Sequence, residues 1–193
     1  ITAPNSTVNG VTISQTLGGG HSQSFRYDFD NPASPTRKIT DITFTQDGTS
    51  QGTLTMDYYT SNELNGNAGD LRRVIKTNAD GEVSVSYMQY YTAGNETLSG
   101  SGATHTIKYI TMDNSFENLA AAEGWLVGTG STASKLLAIT GSQLATVTTS
   151  VIASYADLFY QFNGANQVTS ITSQGNGCSV CTGGLGTTTF DYT

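Results

Sequence analysis

Two cysteines, two histidines and one short acidic run are the residues whose types and spacing suit chemistry. Cys178 and Cys181 stand as Cys-Ser-Val-Cys between Gly177 and Gly183-Gly184. A structural zinc site takes about four nitrogen or sulfur ligands, and neither histidine lies beside a second Cys-x-x-Cys. A thioredoxin-type redox pair opens a helix whose N-terminus stabilises the thiolate. Here the pair sits in a Gly-rich loop among strand-like segments. The expectation is a local disulfide between Cys178 and Cys181 closing that loop, with no metal ligand and no cofactor.

His21 and His105 have the chemistry of a general base, but no Gly-x-Ser-x-Gly elbow or other nucleophile frame surrounds a serine. Both are read as surface histidines, and the chain as a non-enzyme. Asp28, Asp30 and Asn31 are close enough in sequence to share a calcium ion through hard oxygen ligands. They lack the rest of an Asp-x-Asp-x-Asp-Gly loop and its later glutamate, so turn capping is the competing role. Paired carboxylates for glycoside hydrolysis meet only in space, and the sequence nominates no such pair. Asn5-Ser6-Thr7 and Asn95-Glu96-Thr97 fit the acceptor pattern for N-glycosylation, which reads as two loop sites. The pairs Tyr58-Tyr59 and Tyr90-Tyr91 read first as cross-strand packing and second as an exposed sugar-binding face.

The elements that must position these residues are strands. Only 12% of the 193 residues are charged, about half the usual share of ~25%. Gly, Ser, Thr and Asn are abundant, which favours strands and turns over a helical bundle. Val11, Ile13, Gln15 and Leu17 share one face of a half-buried strand, which Gly18-Gly19-Gly20 breaks. Strands follow at 38–44 and 53–59, then at 71–77 and 82–91 around Asn78-Ala79-Asp80-Gly81. That Asp-Gly between β-branched runs is the clearest hairpin signal. Residues 104–112 read as another strand, and 115–122 as the one helix, capped by Asn114 or Ser115. Gly124 stops it, and Trp125-Leu126-Val127 is expected to bury the sole tryptophan. Residues 135–140, 143–153 and 158–162 read as strands again. The expected fold is all-β, an antiparallel strip or sandwich with one short helix near 115–122. No linker divides the chain, so residues 1–193 read as one β-rich domain or a segment of a repeat array.

Residues 160–193 run as Tyr-x-Phe-Asn, a turn through Gly164-Ala165-Asn166, and the return Gln167-Val168-Thr169-Ser170-Ile171-Thr172. After the cysteine loop comes Thr187-Thr188-Thr189-Phe190-Asp191-Tyr192. This stretch resembles the YD repeat of the Rhs family, Tyr-x-Tyr-Asp-x-x-Gly-Arg-Leu followed by a threonine-rich strand. Tyr160, Phe162, Asn163, Asn166, Gln167 and Val168 take the positions of Tyr, Tyr, Asp, Gly, Arg and Leu; only Tyr160 is identical, Phe162 and Val168 keep the aromatic and aliphatic character, and Asn163, Asn166 and Gln167 are chemically near departures. Phe190-Asp191-Tyr192-Thr193 is similar to the start of a next unit. The likeness is weaker at 25–59 and 71–91 and absent over 113–134. It implies a continuous β-strip, which in the family's toxins closes into a shell around an effector and in teneurin-like members serves at the cell surface.

Function follows from surface and edges. The net charge of −7 and pI near 4.5 oppose the field of a nucleic acid. No stretch approaches the roughly 20 apolar residues that span a bilayer, so membrane insertion is not expected. Low lysine with high Ser, Thr, Asn and Gly points to an extracellular or cell-surface setting. The first strand (Val11, Ile13, Leu17) and the last (Thr188, Phe190, Tyr192) carry no lysine, arginine or proline, the usual devices that blunt an edge. The expectation is therefore a structural subunit or repeat segment of a filament, fibre or shell, self-associating by strand-edge pairing. The second reading is a carbohydrate-binding or carbohydrate-processing β-domain, with a glycan as partner.

Overall fold

The computed structural model describes residues 10–31, 37–95, 101–173 and 186–192. Its ten strands are β1 (Gly10–Thr16), β2 (Ser22–Phe29), β3 (Ile39–Gln46), β4 (Thr49–Tyr58), β5 (Leu71–Asn78), β6 (Val83–Tyr90), β7 (Ile107–Met112), β8 (Leu158–Phe162), β9 (Val168–Ser173) and β10 (Gly186–Thr189). They form one mostly antiparallel sheet in chain order, β1 through β10. The fold is all-β, as alternation predicts. Two compact units share the chain, one of residues 1–57 and 74–83, the other of 58–73 and 84–193. The division crosses β4, β5 and β6, which is why no linker marks it in the sequence.

In the first unit the registers stack side chains into rows. Ile13, Phe25, Phe44 and Gly52 are successive partners, as are Val11, Tyr27, Ile42 and Leu54. Directly paired residues share a face and successive residues alternate, so these two rows make one apolar face. Thr12, Arg26, Thr43 and Thr53 make a row of the opposite, polar face. Among the described residues of this unit only Ile75 is buried. Gly52 carries a φ of +148°, and a Cβ there would meet the Thr77 carbonyl oxygen at 2.7 Å. Glycine is what lets that chain approach so closely, next to a shift of register at Phe44/Thr45.

The second unit holds the core. Tyr59, Val85, Tyr87, Tyr91 and Tyr109 are buried together with Phe116, Leu119, Leu144, Val147 and Ile152. The last five come from the helical stretch. α1 (Asp113–Ala122) matches the expected helix near 115–122, and Gly124 at φ +73° follows its end. Three further helices, α2 (Thr132–Ala138), α3 (Gly141–Thr146) and α4 (Thr149–Tyr155), stand where alternation suggested strands at 135–140 and 143–153. Each starts on a hydroxyl cap: Ser131 accepts from Ser134 N, Thr140 from Gln143 N, and Thr148 from Val151 N. Thr140 and Gln143 complete a reciprocal capping box. Those caps decide the conformation against β-branched neighbours. Trp125 is half-buried and Val127 is 77% exposed, so this short run does not seal the tryptophan away.

Two hairpin turns are built alike. Asn78 N donates to the Glu82 carbonyl and Gly81 N to the Asn78 carbonyl. Asn163 N donates to the Gln167 carbonyl and Asn166 N to the Asn163 carbonyl. The asparagine amide reaches the side chain four residues on in both, Glu82 in one and Gln167 in the other. The left-handed position is Gly81 at φ +84° and Asn166 at φ +59°. So Asn78, Gly81, Glu82 and Val83 correspond to Asn163, Asn166, Gln167 and Val168.

Candidate functional site

Among the described residues, the first and last strands of the order have a neighbouring strand on one side only. β1 pairs with β2 and β10 with β9, and both stand last in the order. Antiparallel residues alternate between bonding one neighbour and facing the other side. Leu17 N donates to the His21 carbonyl at 2.7 Å, continuing the β1–β2 register. The odd residues Val11, Ile13 and Gln15 therefore bond inward to β2, and Thr12, Ser14 and Thr16 turn their N–H and C=O outward. At the other end Phe190 N donates to the Thr169 carbonyl at 2.9 Å, in step with Thr188↔Ile171. There Gly186, Thr188 and Phe190 face inward, and Thr187 and Thr189 face outward. β10 ends at Thr189, three residues short of the expected strand's end at Tyr192; Phe190 and Tyr192 follow it, and the Tyr192 hydroxyl donates to the Val168 carbonyl.

Four of the eight exposed large apolar side chains of the described residues lie on or beside these two end strands. Ile13 is 50% exposed and Phe25 39%, while Phe190 is 41% and Tyr192 48%. Phe25, Phe190 and Tyr192 are the three aromatics among the exposed large apolar side chains of the described residues. Phe25 and Phe44 stack at 4.9 Å and 23°, and with Ile42, Leu54 and Gly52 they floor a hollow of about 200 Å³ rimmed by Lys76 and Asn78. Leu17, the third expected edge residue of β1, is half-buried just past the strand.

The expected chemical residues are placed otherwise. Both imidazoles lie at the surface, each with Nδ1 on a carboxylate: His21 on Asp47 at 2.9 Å and His105 on Asp70 at 2.8 Å. Asp70 also accepts from Asn67 N and Nδ2. The Ser22 N–H, and after it His21, hold the Asp47 carboxyl below its ordinary range. Among the described residues neither imidazole is hydrogen-bonded to a hydroxyl or thiol. Asp28 takes a forked pair of bonds from Arg26 at 2.7 and 3.0 Å. Asp30 accepts from the backbone N–H groups of Asn31 and Lys38, the Lys38 bond being the main cause of its lowered pKa. Among the described residues no three His, Cys, Asp or Glu side chains gather as for a metal ion. Cys178, Cys181 and Asn5 lie outside the described residues.

Asn95 lies in a turn after β6, and its side chain is buried. Its amide donates to the Leu64 and Tyr90 carbonyls at 2.7 and 2.8 Å, and its oxygen accepts from Thr92 N. The nitrogen a glycan would need is thus spent inside the fold. Tyr59, Tyr90 and Tyr91 are buried as well, which takes them from an exposed sugar-binding face. The sequence reading missed a buried polar centre. Gln89 Nε2 donates to Asn65 Oδ1 at 2.6 Å and to Thr149 Oγ1 at 2.9 Å, while Asn65 Nδ2 donates to the Val147 carbonyl at 2.8 Å. Arg73 reaches the Ile139 carbonyl at 2.7 Å. These groups tie down the ends of α2 and α3. Lys108 is fully buried, its Nζ on the Asn95 carbonyl at 2.9 Å and 4.9 Å from the Tyr91 ring centre. Burial lowers its pKa. The signal for this centre in the sequence is faint, since one polar residue in an alternating strand reads as solvent-facing.

Among the described residues no helix is long and apolar enough to cross a membrane. Comparison of the chain with protein-family models, with curated proteins and with solved structures finds no match.

Proposed function

We propose that this chain is a structural segment of an extracellular or cell-surface β-assembly, completed at its two edge strands by further strands. The observation that carries the reading is the position of β1 and β10 at opposite ends of the strand order, with Thr12, Ser14, Thr187 and Thr189 turned outward and no lysine, arginine or proline in either strand. Uncharged open edges are templates for strand addition. Pairing of β10 of one copy with β1 of another is a heterologous contact, and such contacts propagate head to tail. The matched turns at 78–82 and 163–167, together with the YD-like pattern of 160–168, support a repeat architecture of this kind.

The test is sedimentation of the full chain over a wide concentration range, beside Ser14→Pro. Ser14 offers no N–H to β2, so proline there spares the ladder within the chain and removes a donor from the free edge. Association that grows with concentration and falls in Ser14→Pro, with unchanged melting temperature, is the expected result. A full chain that stays monomeric throughout overturns the reading.

A further inference from the structure

We infer that the partner surface on β1 is shaped for the end of a second copy's β10, in one register: Phe190 opposite Ile13 and Tyr192 opposite Val11. The inference rests on the edge-pairing reading above and adds which residues meet, and on which face.

The hydrogen-bond phase at the two edges does the selecting. A new antiparallel ladder must join the outward residues of β1, which are even-numbered, to the outward residues beyond β10, which are odd-numbered. Every allowed register therefore sets odd residues of β1 opposite even residues of the incoming strand. Directly opposed residues share a face. Phe190 and Tyr192 then necessarily fall on the face of Val11 and Ile13, never on the threonine face. Shifting by two residues keeps the phase but either sets Thr188 on Ile13, with Tyr192 beyond β1, or sets Tyr192 on Ile13 and Phe190 on Gln15, leaving Val11 without an aromatic. Only the register named covers both β1 positions.

In that register each aromatic heads a row already present. Phe190 continues Ile13, Phe25 and Phe44, while Tyr192 continues Val11, Tyr27 and Ile42. Ser14 pairs with Thr189 and Thr12 with Asp191 through main-chain bonds. β10 lengthens through Tyr192 on docking. Ile13, exposed on β1, is thereby flanked by Phe25 on one side and by the incoming Phe190 on the other, which is the complementarity that commits the occupant to a second copy.

The experiment uses full-length chains in a Cys178→Ser, Cys181→Ser background, mixing an Ile13→Cys chain with a Phe190→Cys chain under mild oxidation. Opposed residues between ladder bonds bring their Cβ atoms within disulfide reach. The expected result is a disulfide-linked heterodimer from this pair and none from Thr12→Cys mixed with Phe190→Cys, whose side chains lie on opposite faces. Phe190→Ser with Tyr192→Ser should weaken self-association about tenfold or more. Self-association without an Ile13–Phe190 link, or with equal linking at Thr12, overturns the register and leaves edge pairing standing. A chain that never associates overturns both.

Discussion

At the scale of single residues, the buried polar centre of the second unit carries the largest stakes. Asn65 joins Gln89 to the Val147 carbonyl in a place without solvent. Asn65→Ala strands a buried donor on Gln89 and a buried acceptor on Val147, at about 1–3 kcal/mol per orphaned group. Urea unfolding should show a loss of roughly 2–4 kcal/mol, and a double cycle with Gln89→Ala should be far from additive. Four buried tyrosines and one lysine set the alkaline behaviour. Burial pushes Tyr87 and Tyr90 up to about 12 and raises Tyr59 and Tyr91 too. A tyrosine whose folded pKa exceeds the unfolded 10 holds its proton longer when folded, so stability falls as pH rises above 10. Lys108 works the other way. Its folded pKa lies below 10.5, the unfolded chain binds the extra proton, and stability rises with pH until 10.5 is passed. Thermal melts from pH 7 to 11 should therefore decline steeply only above pH 10, and Lys108→Met should flatten the part below it.

At the scale of elements, the matched turns make a comparison inside one molecule. Gly81 occupies the left-handed position of one turn and Asn166 that of the other. Relief of the left-handed strain that a Cβ suffers there outweighs the extra unfolded-state freedom of glycine, so Asn166→Gly should stabilise by about 0.5 kcal/mol, read as a small rise in melting temperature; a loss would mean the Asn166 side chain has a role beyond its φ. Strands were legible wherever apolar residues alternate, and β5–β6 doubly so through Asp80-Gly81. α2 to α4 were not. Each is six or seven residues long, too short to display a 3.6-residue period, and Ile139, Val147 and Ile152 read as strand formers. Their legible mark was Ser or Thr three residues before the N–H it caps. Thr140→Ala, losing the capping box, should cost about 1 kcal/mol. The edges were legible from missing charge and proline, but the phase of their hydrogen bonds was not, because it depends on which residues of β1 and β10 bond inward.

At the scale of the whole molecule, charge and edge pairing pull in opposite directions. The chain carries a formal charge of −7, so copies repel, while the one charge that the docked strands themselves bring to the contact is Asp191. Salt screens the repulsion, with a Debye length of roughly 30 Å at 0.01 M and about 8 Å at 0.15 M. Main-chain hydrogen bonds and apolar rows between the edges are little weakened by salt at these concentrations. Self-association should therefore strengthen as sodium chloride rises from about 0.01 to 0.5 M, and again as pH falls toward the isoelectric point near 4.5. An interface held by ion pairs would respond with the opposite sign, coming apart as salt is added. Sedimentation velocity at fixed protein concentration across that salt series separates the two, and dissociation by salt would exclude β1 and β10 as the contact.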